Sequence, residues 1–207
     1  MKKIKNILFD LGAVLIDIDY HKVAAAFANL GIKNFELQFS QLNASSLFED
    51  LETGKISEAE FHKAIQQQTG MPLESALINN AWNAILLDFR KESMACLSSL
   101  KNQYQLYLLS NTNAIHLTKV NEIASKQLGV KVLDEYFHKA YYSHVIGLRK
   151  PHKEAFQFVL DDANINPEET FFIDDTLPNI ETANQMGFKT HHLLKGERVE
   201  NIKIGIS

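Results

Sequence analysis

Short apolar runs that stop on a carboxylate or a hydroxyl recur along this chain, separated by stretches of helical period. The first is Ile7-Leu8-Phe9, entered from Lys2-Lys3-Ile4-Lys5 and ended by Asp10. A run so short and continuous predicts a strand buried on both faces of a parallel sheet. Asp10 then stands at its carboxyl end, and Gly12 allows a sharp turn. From Tyr20 to about Phe89 the spacing is helical. Val23, Phe27 and Leu30 recur at i, i+4 and i+7, with Gly31 as C-cap. Phe35, Leu37, Phe39 and Leu42 mark a weaker element. Ser57 and Glu60 form a capping box ahead of Phe61 and Ile65, closed by Gly70. Pro72 opens a further helix carrying Leu77, Ala81, Trp82 and Ile85. No strand signal interrupts this region, which predicts a small helical bundle.

Beyond Glu92 the pattern alternates. A helix with Met94, Leu97 and Leu100 leads to the strand Gln105–Leu109. There follow a helix near Ala114 to Ser125, an apolar run at Lys139 to Tyr142 and a helix at His152 to Asp162. The strand Thr170 to Ile173, the helix Leu177 to Met186 and a last strand near Lys189 to His192 complete the series. Strands alternating with helices of this length mean βαβ units and an α/β, doubly wound (Rossmann-like) parallel sheet. The expected division is a core of residues 1–18 and 90–207 with a helical domain, 19–89, inserted. The tail from Gly196 to Ser207 is weakly patterned.

Composition narrows the classes. Of 207 residues, 45% are hydrophobic and 22% charged, as in ordinary globular domains, and the net charge of −4 gives no electrostatic case for nucleic acid or anionic membrane. Cys96 is the only cysteine, so no intramolecular disulfide forms, and its place in an apolar helical pattern predicts a small core residue. His191 and His192 would point to opposite faces of a strand and could not chelate one ion together. The amino-terminal lysines precede too few apolar residues for a signal peptide, and no run has membrane-span length. A soluble, cytoplasmic protein is expected.

Four places carry the candidate chemistry: Asp10, Ser110-Asn111-Thr112, Arg149-Lys150-Pro151 and Asp174-Asp175. Each alone has an ordinary explanation, as a turn, a helix cap or a solvated charge. Together they form a kit for phosphoryl transfer, which needs a nucleophile, positive charge on the phosphate oxygens and donors that fix the group in line. Asp10 supplies an oxygen able to form an aspartyl phosphate. Asp10, Asp174 and Asp175 are hard ligands suited to Mg²⁺. Lys150 supplies a point charge and Ser110 a hydroxyl donor.

In order and spacing, Phe9-Asp10, Leu109-Ser110-Asn111, Lys150-Pro151 and Ile173-Asp174-Asp175 resemble the four motifs of the haloacid dehalogenase-like hydrolases, over essentially the whole chain. The helical insertion resembles that superfamily's cap. FDLG, LSNTN followed by His116, GLRKP, FIDD-x-x-x-N and Phe48–Phe61 resemble a bacterial α-D-glucose-1-phosphate phosphatase branch. The resemblance implies an Mg²⁺-dependent phosphatase acting on a small phosphate ester such as a sugar phosphate. Asp10, Ser110 and Lys150 would be catalytic, Asn111, Thr112 and Lys150 substrate-binding, and Asp10, the Gly12 carbonyl, Asp174 and Asp175 metal-binding. Cap residues around Leu47 to Gly54 would read the organic part.

One position departs from the pattern. Phosphatases of the superfamily usually carry a second Asp two residues after the nucleophile, as acid and base, where this chain has Gly12. A sugar 1-phosphate, leaving as a hemiacetal oxygen, needs less protonation. Alternatively Asp17 or Asp19 takes the role. Two other readings stay open here. Haloacid dehalogenases also lack the second Asp but need no metal, and a weakened phosphometabolite-binding protein would hold its ligand without consuming it.

Overall fold

The computed structural model describes residues 2–32 and 46–204. Seven strands are described: β1 (Asn6–Phe9), β2 (Ile16–Ile18), β3 (Leu86–Phe89), β4 (Gln105–Ser110), β5 (Lys139–Tyr142), β6 (Thr170–Asp174) and β7 (Lys189–His192). Five form a sheet of order β5-β4-β1-β6-β7, parallel throughout. β1 is central, its Ile7 level with Leu106 on one side and Phe171 on the other. The chain passes from β1 to opposite sides of the sheet, so a crevice opens at the carboxyl end of β1, where ligands bind in open α/β sheets.

The two-residue period of the strands sorts side chains into two layers. Ile7, Phe9, Leu106, Leu108 and Ile173 pack on one face with Met94 and Leu97 of α5 (Lys91–Leu100) and Val120 and Ala124 of α6 (Ala114–Leu128). Leu8, Leu109 and Phe172 pack on the other. Their partners are Phe156 and Val159 of the helix Lys153–Ala163 (α8) and Ala183 of the helix Leu177–Gln185 (α9). The short helix Ser143–Ile146 (α7) follows β5 directly. Continuous apolar strands with helices on both faces are what the run lengths predicted.

The inserted region is centred on a second apolar cluster, which Ile115 of α6 also joins. Its described helices are α1 (Tyr20–Asn29), α2 (Ser46–Glu52), α3 (Glu58–Thr69) and α4 (Ser75–Asn83). The capping box at the start of α3 is formed both ways: Glu60 N–H donates to Ser57 Oγ (3.3 Å) and Ser57 N–H to Glu60 Oε2 (2.7 Å). Gly70, at φ 67°, ends that helix in the left-handed conformation. Trp82 is the hub: it stacks on Phe48 (5.1 Å between centroids) and takes Phe27 edge-on. On a further side it stacks on His116 of α6 (4.8 Å, 11° between planes), so aromatic stacking ties the helical region to the sheet layer.

Several expectations change. Leu86–Phe89 is a strand, antiparallel to β2, although the region read as wholly helical. Ile85-Leu86-Leu87 continues the apolar count of α4, and only partners across the chain decide between helix and strand for so short a run. α4 begins at Ser75, three residues after Pro72. The helix after Pro151 begins at Lys153, beyond a cis Lys150–Pro151 bond. Cys96 is half-buried rather than in the core, because α5 turns Met94 and Leu97 inward. The tail is partly built in: Val199 is buried against the sheet layer and Glu200 accepts from Ser93 Oγ (2.7 Å). Phe35, Leu37, Phe39 and Leu42 lie outside the described residues. Among the described residues, no helix is long and apolar enough to cross a membrane.

Burial holds His116 neutral, pushing its pKa from 6.5 down to about 3, with Nδ1 2.9 Å from Asn83 Oδ1. A histidine whose folded pKa is lowered binds more protons when unfolded, so its contribution to stability is complete above pH 6.5 and is lost as pH falls toward 3. We expect unfolding stability between pH 6 and 5 to fall more steeply in wild type than in His116→Asn, by about 1.4 kcal/mol per pH unit at most. Urea titrations of both proteins across that range measure the difference.

Candidate active site

Asp10 is placed by β1 and kept in the sheet by its own N–H, which donates to Ile173 O (2.9 Å). Just beyond it, Leu11 O accepts from the N–H groups of Leu15 and Ile16, closing a tight loop in which Ala13 has φ 53°. Gly12 bridges to Ile16, and a Cβ there would meet Ile18 Cδ1 at 3.5 Å, an ordinary contact. The glycine is therefore not demanded by space.

Ser110 ends the neighbouring strand β4 and is buried. Thr112 is held to α7, its N–H donating to Ser143 Oγ (2.8 Å) and its carbonyl accepting from the same hydroxyl (2.9 Å). Asn111 exchanges two bonds with the backbone of Lys150: Nδ2 donates to Lys150 O (2.8 Å), and Lys150 N–H donates to Oδ1 (2.9 Å). In this arrangement Asn111 aims the lysine.

Lys150 is 1% exposed, with Nζ 2.6 Å from both Asp10 Oδ1 and Asp174 Oδ2. Burial works against its charge, but the two carboxylates outweigh burial and raise its pKa above the usual lysine value. Asp174, fully buried, also accepts from Thr176 N–H (2.8 Å) and from Asn179 Nδ2 on both oxygens (3.0 Å). Asp175 has a carbonyl that accepts from His192 Nε2 (2.9 Å). Burial, and after it the neighbouring Asp174, raise the Asp175 pKa. Asp10 is pushed up to about 7 by burial, opposed by Lys150 and reinforced by Asp174 and Asp175.

That excess of negative charge is the test of fit for a cation. Asp10, Asp174 and Asp175 each offer one oxygen within 4.8 Å of the others, and Lys150 is the cation bonded among them. Three carboxylates against one ammonium leave a deficit that a small divalent ion of oxygen preference would neutralise. The donor set fits Mg²⁺.

A cavity of about 350 Å³ lies over these groups. Its floor carries Asp10, Ser110, Lys150 and Asp175, and Tyr20 and Glu52 reach it from the helical region. Asp17 and Asp19 do not line it. Arg90 Nε donates to Asp17 Oδ1 (2.7 Å), and Asp19 Oδ1 caps α1 through His21 N–H (2.9 Å). In β2 the isoleucines on either side of Asp17 face the cavity, so strand alternation turns Asp17 away. Neither aspartate is placed to replace the acid absent at Gly12.

Residues 4–187 match the model of the haloacid dehalogenase-like hydrolase family. The chain belongs to the haloacid dehalogenase-like hydrolases. It is 34% identical, over 90% of both chains, to the D-ribitol-5-phosphate phosphatase of Bacteroides thetaiotaomicron. A crystal structure of a family enzyme from B. thetaiotaomicron, an aspartate-to-alanine mutant in complex with magnesium and inorganic phosphate, superposes with a TM-score of 0.89. It is 36% identical, covering 94% of this chain and 96% of that one. An L-2-haloacid dehalogenase from Xanthobacter autotrophicus shares the fold, with a TM-score of 0.59, 20% identity and coverage of 90% and 76%.

The structure of this hydrolase brings the residues of the four motifs to one crevice: Asp10, Gly12, Ser110, Asn111, Thr112, Lys150 and Asp175 line the cavity and Asp174 lies beneath it, while of the stretch Leu47 to Gly54, Glu52 alone lines it. Sequence reading missed Tyr20, whose pKa is raised by burial and then by Asp175, Glu52 and Asp10. It also gave no role to Asn179, for which the signal was present as the asparagine five residues after Asp174. Replacing Lys150 by Met leaves Asp10 and Asp174 buried without their cation. We expect a loss of about 3–5 kcal/mol, measured by urea unfolding in EDTA.

Proposed function

We propose that this protein is an Mg²⁺-dependent phosphatase that hydrolyses the phosphate monoester of a small polyol or sugar through an aspartyl phosphate on Asp10. The observation that carries this reading is Lys150 Nζ bonded to Asp10 beside the carboxylates of Asp174 and Asp175, at the base of a small-molecule cavity. An ammonium at the nucleophile suits a substrate whose oxygens are anionic.

An Asp10 carboxylate oxygen attacks phosphorus in line with the ester oxygen. The Asp10 O–P bond forms as the P–O bond to the alcohol breaks, and the departing oxygen takes a proton from water in the cavity. Lys150 and the Ser110 hydroxyl hold the non-bridging oxygens. A water then adds to phosphorus, gives its proton to solvent, and releases inorganic phosphate with the Asp10 carboxylate restored. When bound by Asp10, Asp174, Asp175 and the Gly12 carbonyl, Mg²⁺ supplies positive charge to the phosphoryl oxygens. In this reading the helical region, from which Tyr20 and Glu52 reach the cavity, roofs the site and excludes bulk water.

The D-ribitol-5-phosphate phosphatase relative supports a hydroxylated substrate. Glucose 1-phosphate belongs to the same class and is favoured by Gly12, since its hemiacetal oxygen leaves with little help from an acid. Dehalogenation is the weaker reading, because a carboxylate substrate would meet three carboxylates.

Phosphate release from ribitol 5-phosphate, glucose 1-phosphate, glucose 6-phosphate and p-nitrophenyl phosphate tests the proposal. We expect release with Mg²⁺, none with EDTA, and none from Asp10→Asn. Metal-independent release, or undiminished release by Asp10→Asn, overturns it. Because a Cβ at position 12 meets only ordinary contacts, Gly12→Asp should fold and add a general acid. The expected gain in kcat on ribitol 5-phosphate, a poor leaving group, is about tenfold or more over any gain on p-nitrophenyl phosphate.

A further inference from the structure

Glu52 stands where a carboxylate is disfavoured twice. It closes α2, whose last turn holds no basic residue, so it faces the negative end of a helix. It is also largely withdrawn from solvent, and burial raises its pKa, with Arg149 opposing and Glu49 adding to the rise. Arg149 Nη2 lies 3.2 Å from Glu52 Oε2, and the two side chains are only 16% and 13% exposed. The pair is nevertheless incompletely satisfied: Glu52 Oε2 meets the guanidinium as an ion pair without an aligned hydrogen bond, Glu49 stands farther off at 3.9 Å from Arg149 Nη1, and Arg149 Nε is buried without a hydrogen-bond partner. Both residues line the cavity that holds Asp10 and Lys150.

Their placement is fixed by close packing of the helical region on the core. Gly54, two residues after Glu52, has φ 68°, and a Cβ there would fall 2.3 Å from the backbone oxygen of His144 in α7. Only glycine allows that approach. The contact carries Glu52 to Arg149, the residue immediately before Lys150.

We propose that Glu52 and Arg149 form a hydroxyl-reading subsite at the helical edge of the cavity, selecting phosphate esters of polyols and sugars over esters of apolar alcohols. This rests on the phosphatase reading above. A carboxylate and a guanidinium side by side present an acceptor and donors, and a hydroxyl, which both donates and accepts, is the uncharged group that serves both. An apolar chain would leave buried polar atoms unpaired, which is how a polar pocket rejects the wrong ligand. A second anionic group would be repelled by Glu52. Much of the remaining wall is apolar, including Ile16, Ile18, Ile85 and Leu86, as in sites where a few polar groups set specificity.

The test compares kcat/KM for ribitol 5-phosphate and phenyl phosphate in the Mg²⁺-loaded wild type, Glu52→Gln and Arg149→Met. Arg149→Lys, which keeps the charge, serves as second variant should Arg149→Met unfold. We expect the polyol-to-phenyl ratio to fall about 10–100-fold in each variant, chiefly through KM for the polyol. A ratio unchanged within twofold overturns the subsite. So does an equal loss on both esters in kcat, which would make Arg149 a positioning residue acting through Lys150. Should wild type release phosphate from no ester, the phosphatase reading fails separately. Calorimetric binding of ribitol 5-phosphate to Asp10→Asn with Mg²⁺ then decides. Binding weakened about tenfold by adding Glu52→Gln upholds the subsite, and undiminished or undetectable binding overturns it.

Discussion

A lysine ammonium held 2.6 Å from two carboxylates, almost without solvent, is the interaction on which the rest of this site depends. A buried lysine alone would give up its proton, and buried aspartates alone would take one up. Each charge persists because the other is present, and three segments distant in sequence must arrive together for that to hold. β1 brings Asp10, β6 brings Asp174, and the turn before α8 brings Lys150. Asn111 fixes the backbone of the lysine, while Asn179 and Thr176 hold the carboxylate of Asp174. The balance is incomplete by design of the donor set. Asp175 adds a third carboxylate, and the excess negative charge is what suits the pocket to a divalent cation and, through it, to a phosphoryl group.

The helical region is joined to this charged centre by contacts of different character. Trp82 stacks on His116, an apolar contact that keeps the imidazole neutral and gives the junction its bulk. Gly54 lies backbone to backbone against His144, which needs the absence of a side chain. Arg149 and Glu52 meet through charge at the cavity itself. The first two set where the roof sits, and the third reaches the space a substrate would occupy.

Gly12 makes this site differ from the usual phosphatase pattern, and the structure removes one way of explaining it. Asp17 and Asp19, close by in sequence, are spent on Arg90 and on the cap of α1. The ribbon of β2 and β3 turns isoleucines, not aspartates, to the cavity. With no acid at that turn, the leaving group's own basicity would weigh more in the proposed reaction than in a site with a dedicated acid.

Local chemistry was enough to determine much of this protein. Apolar runs of parallel-sheet character, the capping box at Ser57 and the glycine that ends α3 act through neighbours within a few residues, so the alternating α/β core and most of its helices were legible from the sequence. The motif residues were legible too, because a phosphoryl site needs few residue types and this chain carries them at successive strand ends. The tertiary structure alone decided what depends on partners far along the chain. Leu86–Phe89 is a strand because β2 lies beside it. Cys96 is half-exposed because of how α5 rotates on the sheet. Asp17 and Asp19 lie off the cavity because strand alternation and a cap claim them. The pairing of Glu52 with Arg149, 97 positions apart, has no signature in either neighbourhood, since an ion pair is specified by where two backbones are brought and not by the residues beside each charge.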